Sequence, residues 1–127
     1  MSKSILGSAK LVAFAATSMP AKALKFYRDT LGLELVEESP FAFVFDAHGT
    51  MLRLTPVQKV AVGQYTVLGW EVKDIEATVK TLTAGGVTFN RYPGMEQDEL
   101  GIWQSPSHAR IAWFKDPDGN TLSVTEF

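Results

Sequence analysis

Arg53 is the side chain of this sequence whose position best suits it to binding chemistry. It lies in the segment Thr50–Thr55, where polar and apolar residues alternate as they do in a half-buried strand. The alternation places Arg53 on one face of the strand and both Leu52 and Leu54 on the other. A guanidinium that faces a partly desolvated cleft would bind a carboxylate or a phosphate through two parallel hydrogen bonds. This pattern favours a ligand with an anionic group.

Glu71 is a carboxylate that strand alternation also places on a face that would point toward the cleft. It shares its parity with Val67 and Gly69 in a second predicted strand. An internal ion pair of Arg53 with Glu71 or with Glu126 is therefore the structural alternative to ligand binding, because a buried charge is rarely left without a partner. Glu71 is also the candidate acid/base if the protein is an enzyme.

Conventional catalytic and metal-binding groups are scarce. The sequence has no cysteine, which excludes disulfides, thiolate metal sites and a cysteine nucleophile. His48 and His108 fall in predicted turns, where a solvated side chain is expected rather than a ligand. The acidic stretch Glu96–Glu99 does not have the spacing of a calcium loop. No serine lies in a nucleophile-elbow context.

Composition and charge restrict the class of protein. A chain of 127 residues, 46% apolar and 20% charged, is typical of one globular domain. The formal charge of −2 argues against a nucleic-acid partner. No apolar run reaches membrane-spanning length, and Met1–Ala9 does not resemble a signal-peptide core. We therefore expect a cytoplasmic protein with no membrane partner.

The sequence contains an internal repeat. Residues 48–55 (HGTMLRLT) and 118–125 (DGNTLSVT) each place a turn glycine before an alternating strand. Upstream of each copy, residues 18–23 (SMPAKA) and 73–78 (KDIEAT) begin an amphipathic helix. Repetition on this scale predicts one structural unit used twice.

The predicted elements follow the order βαβββ in both halves. The boundaries are about 8–57 for the first module and about 64–127 for the second, within a single domain of residues 1–127. The predicted strands, nine in all and so one more than two βαβββ units contain, are residues 10–17, 33–37, 41–45, 50–55, 65–72, 87–91, 102–105, 109–115 and 121–126. The second half is longer, and its additional residues fall in Tyr92–His108. A segment inserted in this way is where loop-borne function is expected.

Two stretches resemble a known family. They are residues 23–27 (ALKFY) followed by 31–33 (LGL), and residues 112–122 (AWFKDPDGNTL). Both are similar to the vicinal oxygen chelate superfamily, which includes glyoxalase I, bleomycin-resistance proteins and extradiol dioxygenases. The resemblance implies an α+β fold in which two paired βαβββ modules form a curved, barrel-like mixed sheet, with helices outside and a concave cleft.

The resemblance also implies where metal ligands would stand. In this family, histidine or glutamine on the first strand of each module and glutamate on the last strand usually bind a divalent metal. The matching positions here are Val12 and Val67 on the first strands, and Arg53 and Ser123 on the last. None of these side chains suits a divalent cation. We therefore expect no metal and no cofactor.

Aromatic residues add to the predicted cleft. Trp70 shares its parity with Leu68 and is expected in the core, whereas Trp103 and Met95 belong to the inserted segment and could close over a planar ligand. The predicted cleft residues are Val12, Phe14, Arg53, Val67, Glu71, Met95, Trp103 and Ser123.

Three functions are compatible with these features. We expect a metal-independent protein of the bleomycin-resistance type that binds a small aromatic or anionic organic molecule and forms a homodimer. The alternative is a glyoxalase-like lyase or related enzyme with a non-standard metal or acid/base site. A third possibility is a regulatory or partner-binding module without a ligand. The sequence leaves open whether the modules pair within one chain or between two chains.

Overall fold

The computed structural model describes residues 5–127 as eight strands and two α-helices, one of which continues into a π-helical turn. The chain divides into two compact units between Val60 and Ala61. The unit that ends at Val60 is called module one here, and the unit Ala61–Phe127 is called module two. Each contains a four-stranded mixed sheet.

Module one has the order βαβββ. Its elements are β1 (Val12–Thr17), α1 (Pro20–Lys25) with the π-helical turn Phe26–Thr30, β2 (Glu34–Glu38), β3 (Phe43–Ala47) and β4 (Thr50–Pro56). The strands lie in the order β1-β4-β3-β2, with β1 and β4 parallel and the other pairs antiparallel. This order places β1 and β4 side by side.

Helix α1 and the π-helical turn that follows it pack on one face of this sheet. Pro20 occupies its first turn, where the missing N–H costs no hydrogen bond, and Gly32 takes a φ of 76° after its last turn. Tyr27 is fully buried, with its ring 6.0 Å from that of Phe45. Leu52 and Leu54 of β4 are buried too. The other face of β1 and β4 therefore remains for polar and binding residues.

Module two repeats the order. Its elements are β5 (Thr66–Glu71), α2 (Ile75–Ala84), β6 (Trp103–Gln104), β7 (Arg110–Lys115) and β8 (Thr121–Glu126), and its sheet has the order β5-β8-β7-β6. The Asp74 side chain accepts a hydrogen bond from the Ala77 N–H at 3.0 Å, and Glu126 Oε1 accepts one from the Ile75 N–H at 3.0 Å. These two carboxylates satisfy the free N–H groups at the start of α2.

The turn between β7 and β8 is held by one buried carboxylate. Asp116 Oδ1 accepts hydrogen bonds from the backbone N–H groups of Asp118 at 3.0 Å and Asn120 at 2.9 Å. Gly119 takes a φ of 91°, which a side chain would strain. The predicted turn residues therefore fix the register of the hairpin that carries Trp113 and Lys115.

The α+β class and the βαβββ order of both modules are confirmed. The predicted strand at residues 87–91 is wrong, since only Phe89 forms an isolated bridge, to Phe114. A continuous strand does not form because the backbone at the end of this range is bonded to a side chain. The Asn90 carbonyl accepts a hydrogen bond from Gln97 Nε2, and the Tyr92 N–H donates one to Gln97 Oε1. No helix in residues 5–127 is long and apolar enough to cross a membrane.

Candidate functional site

One cavity of module two has an aromatic wall. It encloses about 520 Å³ and is lined by residues that include Gln64, Thr66, Tyr92, Met95, Trp113 and Lys115. We call it the aromatic cavity. Its volume falls within the range of roughly 300–1,000 Å³ that is usual for small-molecule sites.

Trp113 is the central ring of this wall. It lies on β7 opposite Ser123 of β8, and its neighbours Ala112 and Phe114 are buried on the other face of the sheet. The Tyr92 ring stands edge-to-face with Trp113, at 5.7 Å and 85°. Trp113 Nε1 donates to Thr66 Oγ1 at 3.2 Å, which fixes the plane of the indole. The two rings form a corner of apolar surface.

Gln97 orders the segment that carries Tyr92. Its Oε1 accepts a hydrogen bond from the Tyr92 N–H at 2.8 Å, and its Nε2 donates to the carbonyls of Asn90 and Gly101, both at 2.9 Å. A single side-chain amide thus satisfies three backbone groups on two sides of the loop.

The acidic part of the same loop is structural. Arg91 donates from Nη1 to the Asp98 carbonyl at 2.5 Å and from Nη2 to the Glu99 carbonyl at 2.6 Å. Asp98 Oδ1 accepts hydrogen bonds from the N–H groups of Leu100 and Ile102, each at 2.9 Å. These contacts order the predicted Glu96–Glu99 stretch through backbone hydrogen bonds.

Met95 and Trp103 meet beside the aromatic cavity. A second cavity, of about 480 Å³, is lined by Tyr92, Met95, Glu96 and Trp103 among others. The Trp103 ring lies 6.0 Å from that of Trp113 at an angle of 38°. Tyr92 and Met95 line both cavities, so the structure brings two predicted site residues, Met95 and Trp103, to one aromatic cluster.

Three further predicted residues lie on the paired strands β5 and β8 of the module-two sheet. Val67 and Glu71 of β5 are exposed and flank Gly69, which pairs with Ser123 of β8. Ser123 is buried, and a Cβ added to Gly69 would stand 2.8 Å from its Oγ. The serine hydroxyl therefore packs over the glycine, which explains its burial.

In module one, the predicted residues lie on the face of the sheet opposite α1. Phe14 of β1 pairs with Arg53 of β4, and Val12 pairs with Met51. Phe14 is 61% exposed. Arg53 Nη1 lies 4.0 Å from Met51 Sδ. The Arg53 guanidinium therefore lies beside apolar side chains on this face.

The charge environment of Arg53 differs from that of Arg28. Arg28 Nε donates to Asp29 Oδ1 at 2.8 Å, and this hydrogen bond holds the pKa of the Asp29 carboxyl below its ordinary value. Within the described part of module one, no carboxylate lies within 4.0 Å of the Arg53 guanidinium. Glu126, one of the partners predicted for Arg53, accepts a hydrogen bond from the Ile75 N–H within module two.

A separate cavity of about 410 Å³ lies in module one. Its lining includes Lys10, Leu11, Glu34, Asp46 and Met51. Glu34 and Asp46 are direct partners in the pairing of β2 with β3, so two carboxylates and one ammonium face this space. The cavity is therefore acidic on balance.

The comparisons with known proteins agree with this architecture. The sequence model of the Glyoxalase/Bleomycin resistance protein/Dioxygenase superfamily matches residues 10–124. The chain belongs to this superfamily. The resemblance seen in the two sequence stretches is thereby confirmed.

Solved structures of this superfamily share the fold. A member from Sphaerobacter thermophilus is 29% identical, with 94% of this chain and 98% of that chain covered and a TM-score of 0.73. A lactoylglutathione lyase from Agrobacterium tumefaciens is 21% identical, with 94% and 93% covered and a TM-score of 0.73. A glyoxalase family protein from Enterococcus faecalis is 19% identical, with 92% and 94% covered and a TM-score of 0.66. No curated protein sequence matches this chain.

The residues at the superfamily's metal positions do not fit a divalent cation. Val12 and Val67 have no donor atom, Arg53 carries a positive charge, and the Ser123 hydroxyl packs against Gly69. In the part of the chain that the structure describes, no three His, Asp or Glu side chains cluster as a metal site would require. His48 and His108, at φ values of 52° and 73°, are turn residues as predicted.

Several residues of the aromatic cavity were not predicted from the sequence. Tyr92, Trp113 and Lys115 line the cavity but are not among the eight cleft residues that the sequence predicts, and neither is Gln97, which orders the loop beside it. The alternation of β7 contained the signal for two of them, since Trp113 and Lys115 share a parity opposite to Ala112 and Phe114.

Proposed function

We propose that the protein binds a small organic molecule without the aid of a metal, and that the aromatic cavity is its main binding surface. The observation that carries the proposal is the corner formed by Tyr92 and Trp113 in a cavity of about 520 Å³. Aromatic surface of this kind favours planar organic ligands.

An aromatic or anionic ligand is supported by the charges near the two sheet faces. Lys115 lines the aromatic cavity, and Arg53 lies among apolar side chains of module one. We propose that the eight cleft residues named from the sequence contribute to binding in two groups. Val12, Phe14 and Arg53 act in module one, and Val67, Glu71, Met95, Trp103 and Ser123 act in module two.

Metal independence is supported by the donor set and not by the absence of an ion. Two valines, one arginine and one packed serine offer no set of oxygen or nitrogen ligands that a divalent cation prefers. Binding would then depend on shape, apolar contact and counter-charge, and no cofactor is required.

A homodimer is part of the same proposal. Module one exposes four large apolar side chains, which are Val12 (38%), Phe14 (61%), Val36 (60%) and Met51 (42%). Contiguous exposed apolar side chains mark interaction surfaces, and two-fold dimers are the commonest closed assembly.

Two measurements on the purified chain test the proposal. Elemental analysis before and after chelation should find no stoichiometric metal. Titration with the neutral aromatic probe N-phenyl-1-naphthylamine and the anionic probe 8-anilinonaphthalene-1-sulfonate should quench tryptophan fluorescence saturably, equally before and after chelation. Saturable binding of neither probe, or a bound metal whose removal abolishes binding, would overturn the proposal.

Paired variants locate the binding. Tyr92→Leu removes one ring of the aromatic corner and should weaken both probes. Phe41→Ala removes a ring that is 79% exposed in module one and lines none of the three cavities described, so it should leave the titrations unchanged.

An enzymatic function is the second candidate, and the exposure of Glu71 on the sheet face of β5 favours it. A carboxylate in this position could act as a general base. The direct test is an assay for lactoylglutathione lyase activity, the activity named for the Agrobacterium structure. Turnover by the wild-type chain that disappears in Glu71→Gln would establish the enzyme and replace the binding-only proposal.

A further inference from the structure

We infer that the ligand of the aromatic cavity is a planar aromatic anion, and that Lys115 is its counter-charge. This inference rests on the proposed binding function and specifies the class of ligand. Two observations support it. The lining of the aromatic cavity offers aromatic faces and one ammonium group to a ligand, and the cavities of the two modules differ in the sign of their charge.

The aromatic part follows from the geometry of the corner. Because the rings of Tyr92 and Trp113 are nearly perpendicular, a flat ring stacked on one of them would meet the other edge-on. Both arrangements are favourable for aromatic pairs. The single N–H of the Trp113 indole is already donated to Thr66, so the indole offers its face and not a polar group.

The anionic part follows from the charges of the lining. Lys115 lies two residues after Trp113 on β7, which places both side chains on the same face of the strand. The other residues that line the cavity are uncharged. In residues 5–127, no carboxylate lies within 4.0 Å of the Lys115 ammonium, so its charge is available to a ligand.

The cavity of module one would select against the same ligand. Glu34 and Asp46 stand opposite each other in its lining and are accompanied only by Lys10. Like charges repel an incoming anion. Because the cavities differ in the sign of their charge, an aromatic anion should occupy module two.

A charge-matched series of naphthalenes tests the inference. Naphthalene-2-carboxylate, naphthalene-2-carboxamide and 2-naphthylmethylammonium have the same ring system and differ in charge. Their titration by tryptophan quenching should rank the anion tighter than the amide by roughly three- to tenfold, as expected for one partly exposed ion contact. The cation should bind weakest. The preference should shrink between about 0.02 M and about 0.5 M sodium chloride, because salt screens exposed charges.

Variants assign the preference to Lys115. Lys115→Met should remove the preference for the anion and leave the affinity of the amide unchanged, and Lys115→Arg should retain the preference. Lys10→Met, in the module-one cavity, is the matched control and should behave as wild type.

The outcomes separate the inference from the proposed function. Equal binding of anion and amide, preference for the cation, or an anion preference that survives in Lys115→Met overturns the inference and leaves the binding function standing. If none of the three naphthalenes binds, the inference is also overturned. The proposed binding function is then decided by the titrations with N-phenyl-1-naphthylamine and 8-anilinonaphthalene-1-sulfonate alone.

Discussion

Gln97 and Tyr92 are joined by a hydrogen bond of 2.8 Å from the Tyr92 backbone N–H to the Gln97 side-chain oxygen. The same amide group donates to the carbonyls of Asn90 and Gly101. These backbone groups lie where no regular strand pairs with the chain. Gln97 therefore takes the place of a neighbouring strand, and the position of the Tyr92 ring depends on it.

Gln97→Ala should both lower the free energy of unfolding and weaken the binding of aromatic probes. Three partly buried backbone groups would lose their partner, at a cost of about 1–3 kcal/mol. The Tyr92 ring would lose one of the hydrogen bonds that place it beside Trp113 and would keep the one that Asn90 Nδ2 donates to its hydroxyl at 3.0 Å. Urea denaturation and titration with N-phenyl-1-naphthylamine measure the two effects.

Glu96→Ala is the control for this prediction. Glu96 is exposed in the same loop, and its side chain makes no hydrogen bond or ion pair with any residue of the described chain. It should change stability by less than about 0.5 kcal/mol. Equal effects of the two alanine variants would mean that Gln97 does not organise the loop.

Gly69 and Ser123 should show coupling in a double-mutant cycle. A Cβ on residue 69 would approach Ser123 Oγ to 2.8 Å, so Gly69→Ala forces the serine to rotate or the strands to shift. We expect a cost of roughly 1 kcal/mol, toward the low end for overpacking because one hydroxyl can rotate. The free energy of unfolding in urea is the measurement.

Ser123→Gly removes the atom that the new Cβ would meet. In its presence, Gly69→Ala should cost clearly less than in wild type, which is a favourable coupling between the two positions. Additive effects would mean that the strain of Gly69→Ala arises elsewhere, and that Ser123 does not pack over the glycine.

The parts of the fold that were predictable are those with a local rule. Strand alternation put Arg53 on the face opposite to that of Leu52, and the pattern of residues 73–78 predicted the start of α2, where Asp74 is the cap. The role of Gln97 follows no such rule. It bonds to backbone groups up to 7 residues away, and no periodicity marks a side chain that replaces a strand.

The part of the candidate site that lies on regular strands was predictable, because alternate residues of a strand face the same side of the sheet. Gly69 pairs with Ser123, and Glu71 follows two residues later on β5, as strand parity indicates, whereas an irregularity in the register between Thr66 and Leu68 interrupts the alternation at Val67. The aromatic corner was missed because Tyr92 reaches Trp113 from an irregular segment, whose course depends on long-range contacts. For Trp113 itself the signal was present, since the alternation of β7 puts it on the face opposite to Ala112 and Phe114.

Trp113→Phe should separate the indole ring from its hydrogen bond. The phenyl ring retains aromatic surface but loses the N–H that Thr66 accepts at 3.2 Å. The expected loss of stability is about 0.5–1.5 kcal/mol. Thr66→Val removes the other partner, so the double variant should cost less than the sum of the single ones in urea denaturation. Additive effects would show that this hydrogen bond contributes nothing to the free energy of unfolding.

Arg53→Ala should distinguish a binding residue from a structural one. With no carboxylate within 4.0 Å in the described part of its own module, Arg53 should contribute less than about 0.5 kcal/mol to the free energy of unfolding. Arg110→Ala is the reference, since Arg110 pairs with Glu76 at 3.2 Å and such exposed pairs contribute about 0.2–1 kcal/mol. A loss well above that of the reference would indicate an internal ion pair of Arg53, the alternative raised by the sequence.

Ligand titration with the same Arg53→Ala variant decides between two cations. If Lys115 is the counter-charge of the aromatic cavity, the preference for naphthalene-2-carboxylate over the amide should persist in Arg53→Ala and disappear in Lys115→Met. Loss of the preference in Arg53→Ala alone would instead assign the anion to the apolar surface around Phe14 and Met51, where the guanidinium lies. The contrast between the two variants identifies which module binds the charged end of the ligand.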